Sequence, residues 1–476
     1  MRRSRELLML VAVMLPAAVA MAGCSTPFDG EPIYMPAMLH ASGGGTGAGT
    51  AGMPGTNPGV HGMTPPPADG PLTLQACIDA AFSSSRRITM AERSTAMAQD
   101  RVNEAIGTIL PSISASVTAE TRSNKPGVGS FSFGKQSTVH GDFTLLVPIY
   151  DFGVSSNQRD ILEAQVRQSK SGSTRTRQDL RFNVTQAWFR VLEAQRILQV
   201  VDESIKVVET QLAIAQDFLK QQLVAKNDVL AVQAQLASRQ QERISAEHNR
   251  LIALAALARL TGIDTAAVKN FADVADDEQA GAPAQKIAPF EQLVVLAIQS
   301  RGDILQSAEG VGVAQSQYRS TRSSFLPTLY AWGAFLYTSD DTQSHKEWWT
   351  AGAKLSLPVF NLDRFFRLDR NEREIAQAVD SHRELLDDVV LQVREALLAV
   401  ENSTQQVPVA RLGVELADEN LRIERDQYRE GLRTSADVLI AEQRLASARS
   451  SYYQALYGQH IALARLANVV GVDQLP

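Results

Sequence analysis

The chain has 476 residues, a net charge of −6 and 44% hydrophobic residues. This modest negative balance argues against nucleic acid as the main partner. Beyond a leader at the N-terminus, no apolar run is long enough for a transmembrane helix, so any membrane insertion must use lipid, strands or both.

The leader comes first. Arg2, Arg3 and Arg5 precede an apolar run over 7–20 that Pro16 interrupts and that ends in small residues, the pattern of a secretory signal peptide over 1–23. Met21-Ala22-Gly23-Cys24 follows and resembles a bacterial lipoprotein signal, in which the cysteine is acylated; Met21 stands where leucine is usual. Ser25, rather than an aspartate, implies sorting to the outer membrane. With Cys24 carrying lipid, Cys77 is left alone and no intramolecular disulfide is expected. Residues 24–71 are rich in Gly, Pro, Ala, Thr and Met, and read as a flexible tether. Met35, Met38, His40, Met53, His61 and Met63 lie within it as soft or borderline ligands, but their spacing is irregular and no metal site is assigned.

Past the tether the chain repeats itself. Asp228-Val229-Leu230 and Gln235-Leu236-Ala237-Ser238 recur as Asp437-Val438-Leu439 and Arg444-Leu445-Ala446-Ser447. Ala256-Leu257-Ala258-Arg259-Leu260 returns as Ala462-Leu463-Ala464-Arg465-Leu466, Leu110-Pro111 as Leu326-Pro327, and Val147-Pro148 as Leu357-Pro358. Landmarks in one order make an internal duplication: repeats over 72–262 and 289–476, joined by a linker over 263–288.

Each repeat opens with a helical stretch (72–108; 289–322) that stops before Leu-Pro. Two strand-like runs follow, over 112–121 and 137–147, then 328–338 and 347–357. In the first, Ile113, Ala115, Val117 and Ala119 alternate with Ser114, Ser116 and Thr118. Runs of about ten residues suit tilted membrane strands, and Trp332, Trp348 and Trp349 suit an interfacial girdle. A long helix is then expected over 153–222 and again over 364–430. Its first copy carries a stripe of steps three and four, from Val184 through Val191, Leu198, Val208 and Ala215 to Leu219. A patchier stripe holds Ile197, Val200, Val207, Ile214 and Phe218. The first has the period of left-handed coiled-coil packing, and two seams imply neighbours on both sides. In the second copy Pro408 is expected to break or bend the helix. A short turn and a shorter returning helix complete each repeat.

Four strands cannot close a membrane barrel, and an open sheet in lipid leaves its edges unpaired, so several copies must share one barrel. This duplicated grammar, Val147-Pro148-Ile149-Tyr150-Asp151-Phe152-Gly153 and both Asp-Val-Leu turns resemble the TolC-type outer-membrane efflux protein family. The resemblance runs from about residue 72 to the C-terminus and is nearest the lipid-anchored branch paired with resistance-nodulation-division pumps. It implies a mainly α-helical protein with membrane β structure: a homotrimeric periplasmic helical barrel continuous with a 12-stranded outer-membrane barrel, four strands from each copy. The implied function is a passive conduit that exports drugs, toxic small molecules or metal ions, with a periplasmic adaptor and an inner-membrane pump as partners.

The resemblance also implies a gate. Tyr428 and Arg433 in the second tip are the implied latch, with Asp228 of the first tip as acceptor. Asp437 and Ile440 sit at the constriction; the family often has an aspartate where Ile440 stands, so a hydrophobic gate is as plausible there as a charged filter. The turns carrying Gln222, Leu223, Val224, Gly431 and Leu432 are the expected adaptor contact. Gln222 stands where glycine is expected, so the first turn should differ from the second. No enzyme activity is expected, because His40, His61, His140, His248, His345, His382 and His460 are scattered and no phosphate loop occurs. Apart from the lipid on Cys24 no cofactor is expected. A type I protein-secretion outlet is the alternative within the channel class. A periplasmic adaptor lipoprotein is the alternative outside it, and would require a compact β-rich domain flanking one hairpin.

Overall fold

The computed structural model describes residues 71–122, 136–265, 268, 270–273, 287–339, 345–473 and 475. Cys24, the leader, and the methionines and histidines of the tether lie outside these residues. The first repeat comprises α1 (Leu74–Ser84), α2 (Arg86–Gly107), β1 (Ser112–Arg122), β2 (Gln136–Tyr150), α3 (Val154–Lys220) and α4 (Lys226–Thr261). The second comprises α5 (Phe290–Ser300), α6 (Gly302–Ser323), β3 (Thr328–Thr338), β4 (Glu347–Ser356), α7 (Leu362–Arg429) and α8 (Ser435–Val470). Two long hairpins and one sheet replace the single hairpin and compact β domain that an adaptor would need.

The expected opening helix of each repeat is two helices. Ser85 and Arg301 adopt extended backbone (ψ 115° and 126°) and split it. The breaks fall at matching places, since 301 − 85 = 216 and the Leu-Pro landmarks give 326 − 110 = 216. No proline marks either break, which is why hydrophobic periodicity alone missed them. At the second break, Gly302 lies against α3 so closely that an added Cβ would meet the Ser171 carbonyl and, at 2.7 Å, the Arg175 nitrogen. Buried Arg301 anchors the junction: it donates to Asp303 (2.6 Å), Gln392 (2.9 Å) and the Val469 carbonyl (3.1 Å).

The strands form one antiparallel sheet in the order β1-β2-β3-β4. β2 runs past its expected end, with a bulge between Pro148 and Tyr150, because proline cannot donate to the ladder. Aromatic residues face one another across strands, as Phe143 with Phe335 and Phe335 with Trp349. Both faces expose apolar residues: Ile113, Val117 and Trp349 on one are 78%, 79% and 78% exposed, and Leu146 and Trp348 on the other 39% and 38%. The outer edges of β1 and β4 have no partner among the described residues.

The long helices α3 and α7 have 67 and 68 residues, about 100 Å each at the α-helical rise. Of the two outcomes expected at Pro408, a break does not occur: α7 runs on through it. It is exposed, and one turn back Ser403 and Thr404 both donate to the Val400 carbonyl.

Each repeat has a core at mid-length. One gathers Cys77 and Ala81 of α1, Val184, Trp188 and Leu192 of α3, and Leu257 of α4. The other gathers Leu293 and Ala297 of α5, Val389, Val393 and Val400 of α7, and Leu466 of α8. Cys77 is fully buried, and burial pushes its thiol up to about 12, so it packs as a small apolar residue. No described helix is long and apolar enough to cross a membrane.

Candidate functional site

The two hairpin tips are where α3 turns into α4 and α7 into α8. At the second, Gly431 takes the left-handed conformation (φ 78°); its N–H reaches the Tyr428 carbonyl at 3.0 Å, and that of Leu432 reaches Gln427 at 2.9 Å. Such a C-terminal stop favours glycine because an L side chain crowds the carbonyl there. The first tip does the same with Gln222 (φ 62°): its N–H reaches Leu219 at 3.0 Å and that of Leu223 reaches Phe218 at 2.9 Å. The expectation of a different turn is therefore corrected. Gln222, itself exposed, takes with a side chain the backbone state that Gly431 adopts freely.

The helix starts after the tips do differ. Asp437 accepts from the Thr434 N–H (3.0 Å) and hydroxyl (2.8 Å), and Thr434 caps in return. These bonds hold Asp437 below the usual carboxylate range. Asp228 accepts from the Ala225 N–H at 3.2 Å, but alanine has no side-chain oxygen to return the bond. The exposed tip side chains include Leu223 and Leu432, 66% and 71% exposed.

Two packed clusters stand directly behind the tips. Val208 and Ala215 of α3 join Val229 and Val232 of α4, with Leu439 of α8 against them. Leu421 and Tyr428 of α7 join Val438, Ala441 and Leu445 of α8, with Ile214 and Phe218 of α3 against them. The main stripe of α3 thus packs within its own hairpin, and the patchier stripe packs against the other.

Tyr428 is buried, its ring 5.6 Å from that of Phe218, and its hydroxyl has no hydrogen-bond partner among the described residues. Burial, then the charge of Asp228, push its phenol up. Arg433 does not meet Asp228 within the chain: it donates to Gln427 (3.0 Å) and lies 3.4 Å from Glu424. Asp228 is occupied with its own helix start, and Glu424, one turn before Tyr428, is nearer to Arg433 than sequence spacing suggested. Ile440 is half exposed beside Leu439.

A buried ion pair above the tips was not foreseen. Arg239 of α4 donates to Glu442 of α8 at 3.0 Å and to the more exposed Glu242 at 2.6 Å, and Ser204 of α3 donates to the other Glu442 oxygen. Three helices from both repeats meet there. The signal lay in the duplication: Gln233 stands where Glu442 does (442 − 233 = 209), and Ala448 where Arg239 does (448 − 239 = 209). A charge gained in opposite senses at two repeat positions is a signature of a cross-repeat pair. No group of three His, Cys, Asp or Glu able to hold a metal occurs among the described residues.

The profile of the family described as "Outer membrane efflux protein" matches residues 77–263 and 293–472. The alkaline protease secretion protein AprF of Pseudomonas aeruginosa is 26% identical over 364 residues, covering 72% of this chain and 74% of that protein. Outer membrane protein TolC of Vibrio cholerae is 24% identical over 328 residues, covering 66% of this chain and 72% of that protein. The fold is similar to that of the Campylobacter jejuni CmeC outer membrane channel, with a TM-score of 0.72 and 17% identity over 84% of this chain and 85% of that one.

Proposed function

Since the chain belongs to the outer membrane efflux protein family, matched over both of its repeats, we propose that three copies assemble into one export conduit served by a periplasmic adaptor and an inner-membrane pump. Members of this family are channels rather than enzymes, placed in the Gram-negative outer membrane and reaching into the periplasm. The observation that carries the trimeric reading is the open sheet. Its outer edges expose a row of unpaired N–H and C=O groups, each costing several kcal/mol in hydrocarbon. Its faces carry apolar residues that water does not favour. Joining β1 of one copy to β4 of the next removes every edge at once, and the same ring arranges the long helices as a tube.

In this reading the tips are the gate. Arg433 holds its own hairpin through Gln427 and Glu424 and is available to Asp228 of a neighbouring copy, while buried Tyr428 backs the turn. Ile440 and Asp437 line the constriction, and the apolar tips at Leu223, Val224, Gly431 and Leu432 receive the adaptor. Cys24 carries the lipid; mass spectrometry of the mature N-terminal peptide checks that, and an unacylated Cys24 would remove the anchor. In planar bilayers the wild type should give small, mostly closed currents, with Arg433→Ala raising the open fraction. Wild-type pores that stand open and ignore Arg433→Ala would sink the latch and keep the channel. Export of small molecules or metal ions is the favoured cargo, on the acylation signal and tether. The likeness to a secretion protein at 26% identity supports a protein-secretion outlet as the second reading. Co-purification of the native adaptor with its pump separates the two, since a small-molecule pump and a protein exporter are different machines.

A further inference from the structure

Behind the tips, α3 and α7 border a cavity of about 220 Å³. Its wall carries Lys206, Arg425 and Arg429 and no carboxylate. Two further lining residues are deeply buried, Gln211 at 4% and Tyr428 at 3% exposure, and the Gln211 amide nitrogen and Tyr428 hydroxyl have no hydrogen-bond partner. Unpaired polar groups at such depth call for an occupant.

The surrounding carboxylates are already engaged. Glu442 is held by Arg239 and Ser204, Asp418 by Arg449, and Asp426 lies between Arg422 and Arg429. Neither Lys206 nor Arg425 has an ion pair among the described residues. Burial and then the charge of Arg429 push the Arg425 guanidinium down, outweighing the pull of Glu442 and Asp418. Water in the cavity can satisfy an amide and a hydroxyl, but it leaves the surplus positive charge uncompensated. Two guanidinium forks, an ammonium, an amide and a hydroxyl together suit a ligand with several charged oxygens.

We propose that this cavity binds a small free oxyanion of the phosphate or sulfate kind, bridging α3 and α7 directly behind Tyr428. The bound ion ties the two hairpins at the level where the tips must part. Binding itself does not depend on the tips being a gate, so the site and the gate can fail separately.

The test is calorimetric titration of the full-length purified protein, in phosphate-free buffer at fixed ionic strength, with inorganic phosphate and then with acetate. The expected result is saturable phosphate binding that weakens about tenfold or more in each of Arg425→Gln and Lys206→Gln, as loss of a charge-assisted bond should produce. Acetate, with fewer oxygens, should bind about tenfold more weakly. Lys206 is exposed, so its variant decides the matter even if Arg425→Gln fails to fold. No saturable phosphate binding, binding indifferent to Lys206→Gln, or acetate binding as well as phosphate would overturn the proposal.

Discussion

Removing the Glu442 carboxylate should be among the most damaging single changes in the helical region. Its side chain is 3% exposed and that of Arg239 7%, and the two meet at 3.0 Å. Breaking a buried pair by deleting one partner typically costs about 3–5 kcal/mol, because the remaining charge is left without compensation. Here the loss is tempered, since Arg239 keeps its 2.6 Å bond to Glu242, whose side chain is 46% exposed and reaches water. Glu442→Leu should therefore cost about 2–4 kcal/mol, and Ser204 loses its acceptor in the same step. Replacing both charges, as Arg239→Met with Glu442→Leu, removes the orphan and should restore most of the loss, since apolar pairs of similar volume often match buried ion pairs. Urea-induced loss of helical circular dichroism reads the difference in the detergent-solubilised protein, all variants being compared at one protein concentration because assembly adds to stability. A single variant within about 0.5 kcal/mol of wild type would mean that the buried pair adds little to stability. So would a double variant as unstable as the sum of its singles.

The same assay reaches three further sites. Gln222→Gly should stabilise by about 0.5–1 kcal/mol, by relieving a left-handed residue with a side chain, and Gly431→Ala should destabilise by about 1 kcal/mol; equal effects of like sign would show that the turns are not equivalent. Gly302→Ala should cost about 1–3 kcal/mol, because its methyl would press on α3 backbone that cannot yield as a side-chain tip could. His460 is stacked on Phe189 at 4.9 Å, and burial holds its imidazole below the usual range despite the nearby Asp273 charge. The folded state thus prefers it neutral, while the unfolded chain takes up a proton near pH 6.5. Stability from this group is present above pH 6.5 and falls as the pH drops through the window below it. That fall should be absent in His460→Phe; an identical acid profile in both proteins would dismiss the histidine as its source.

The large features of the fold were legible because they are periodic and occur twice. Duplication exposed the two hairpins and the sheet, and the seams of α3 were readable as steps of three and four from Val184 to Leu219. Pro408 does not end α7, since a proline in an exposed face of a long helix frees a carbonyl that water can satisfy. The breaks at Ser85 and Arg301 were invisible to apolar spacing, since neither residue is a strong helix stop. At Gln222 glycine preference speaks of cost rather than possibility: the first tip keeps the left-handed turn with a side chain in place. At the gate, Tyr428 and Arg433 could be placed on one turn by spacing, but their partners could not. Arg433 met Glu424 because left-handed Gly431 folds the chain back over the last turn of α7. The Arg239–Glu442 pair needed the two repeats to be compared position by position for differences rather than for likeness.

Closure of one barrel by the strands of separate chains can be read out by cysteine cross-linking. A cysteine at Val117 in β1 and another at Ala351 in β4, bridged with a short thiol cross-linker in native membranes, reports which edges meet; Cys77 is buried and should stay silent. A shared barrel of three chains should give covalent ladders of two and three chains that stop at three, and none from either cysteine alone. Bridging of β1 to β4 within one chain, or ladders that run past three, would contradict it.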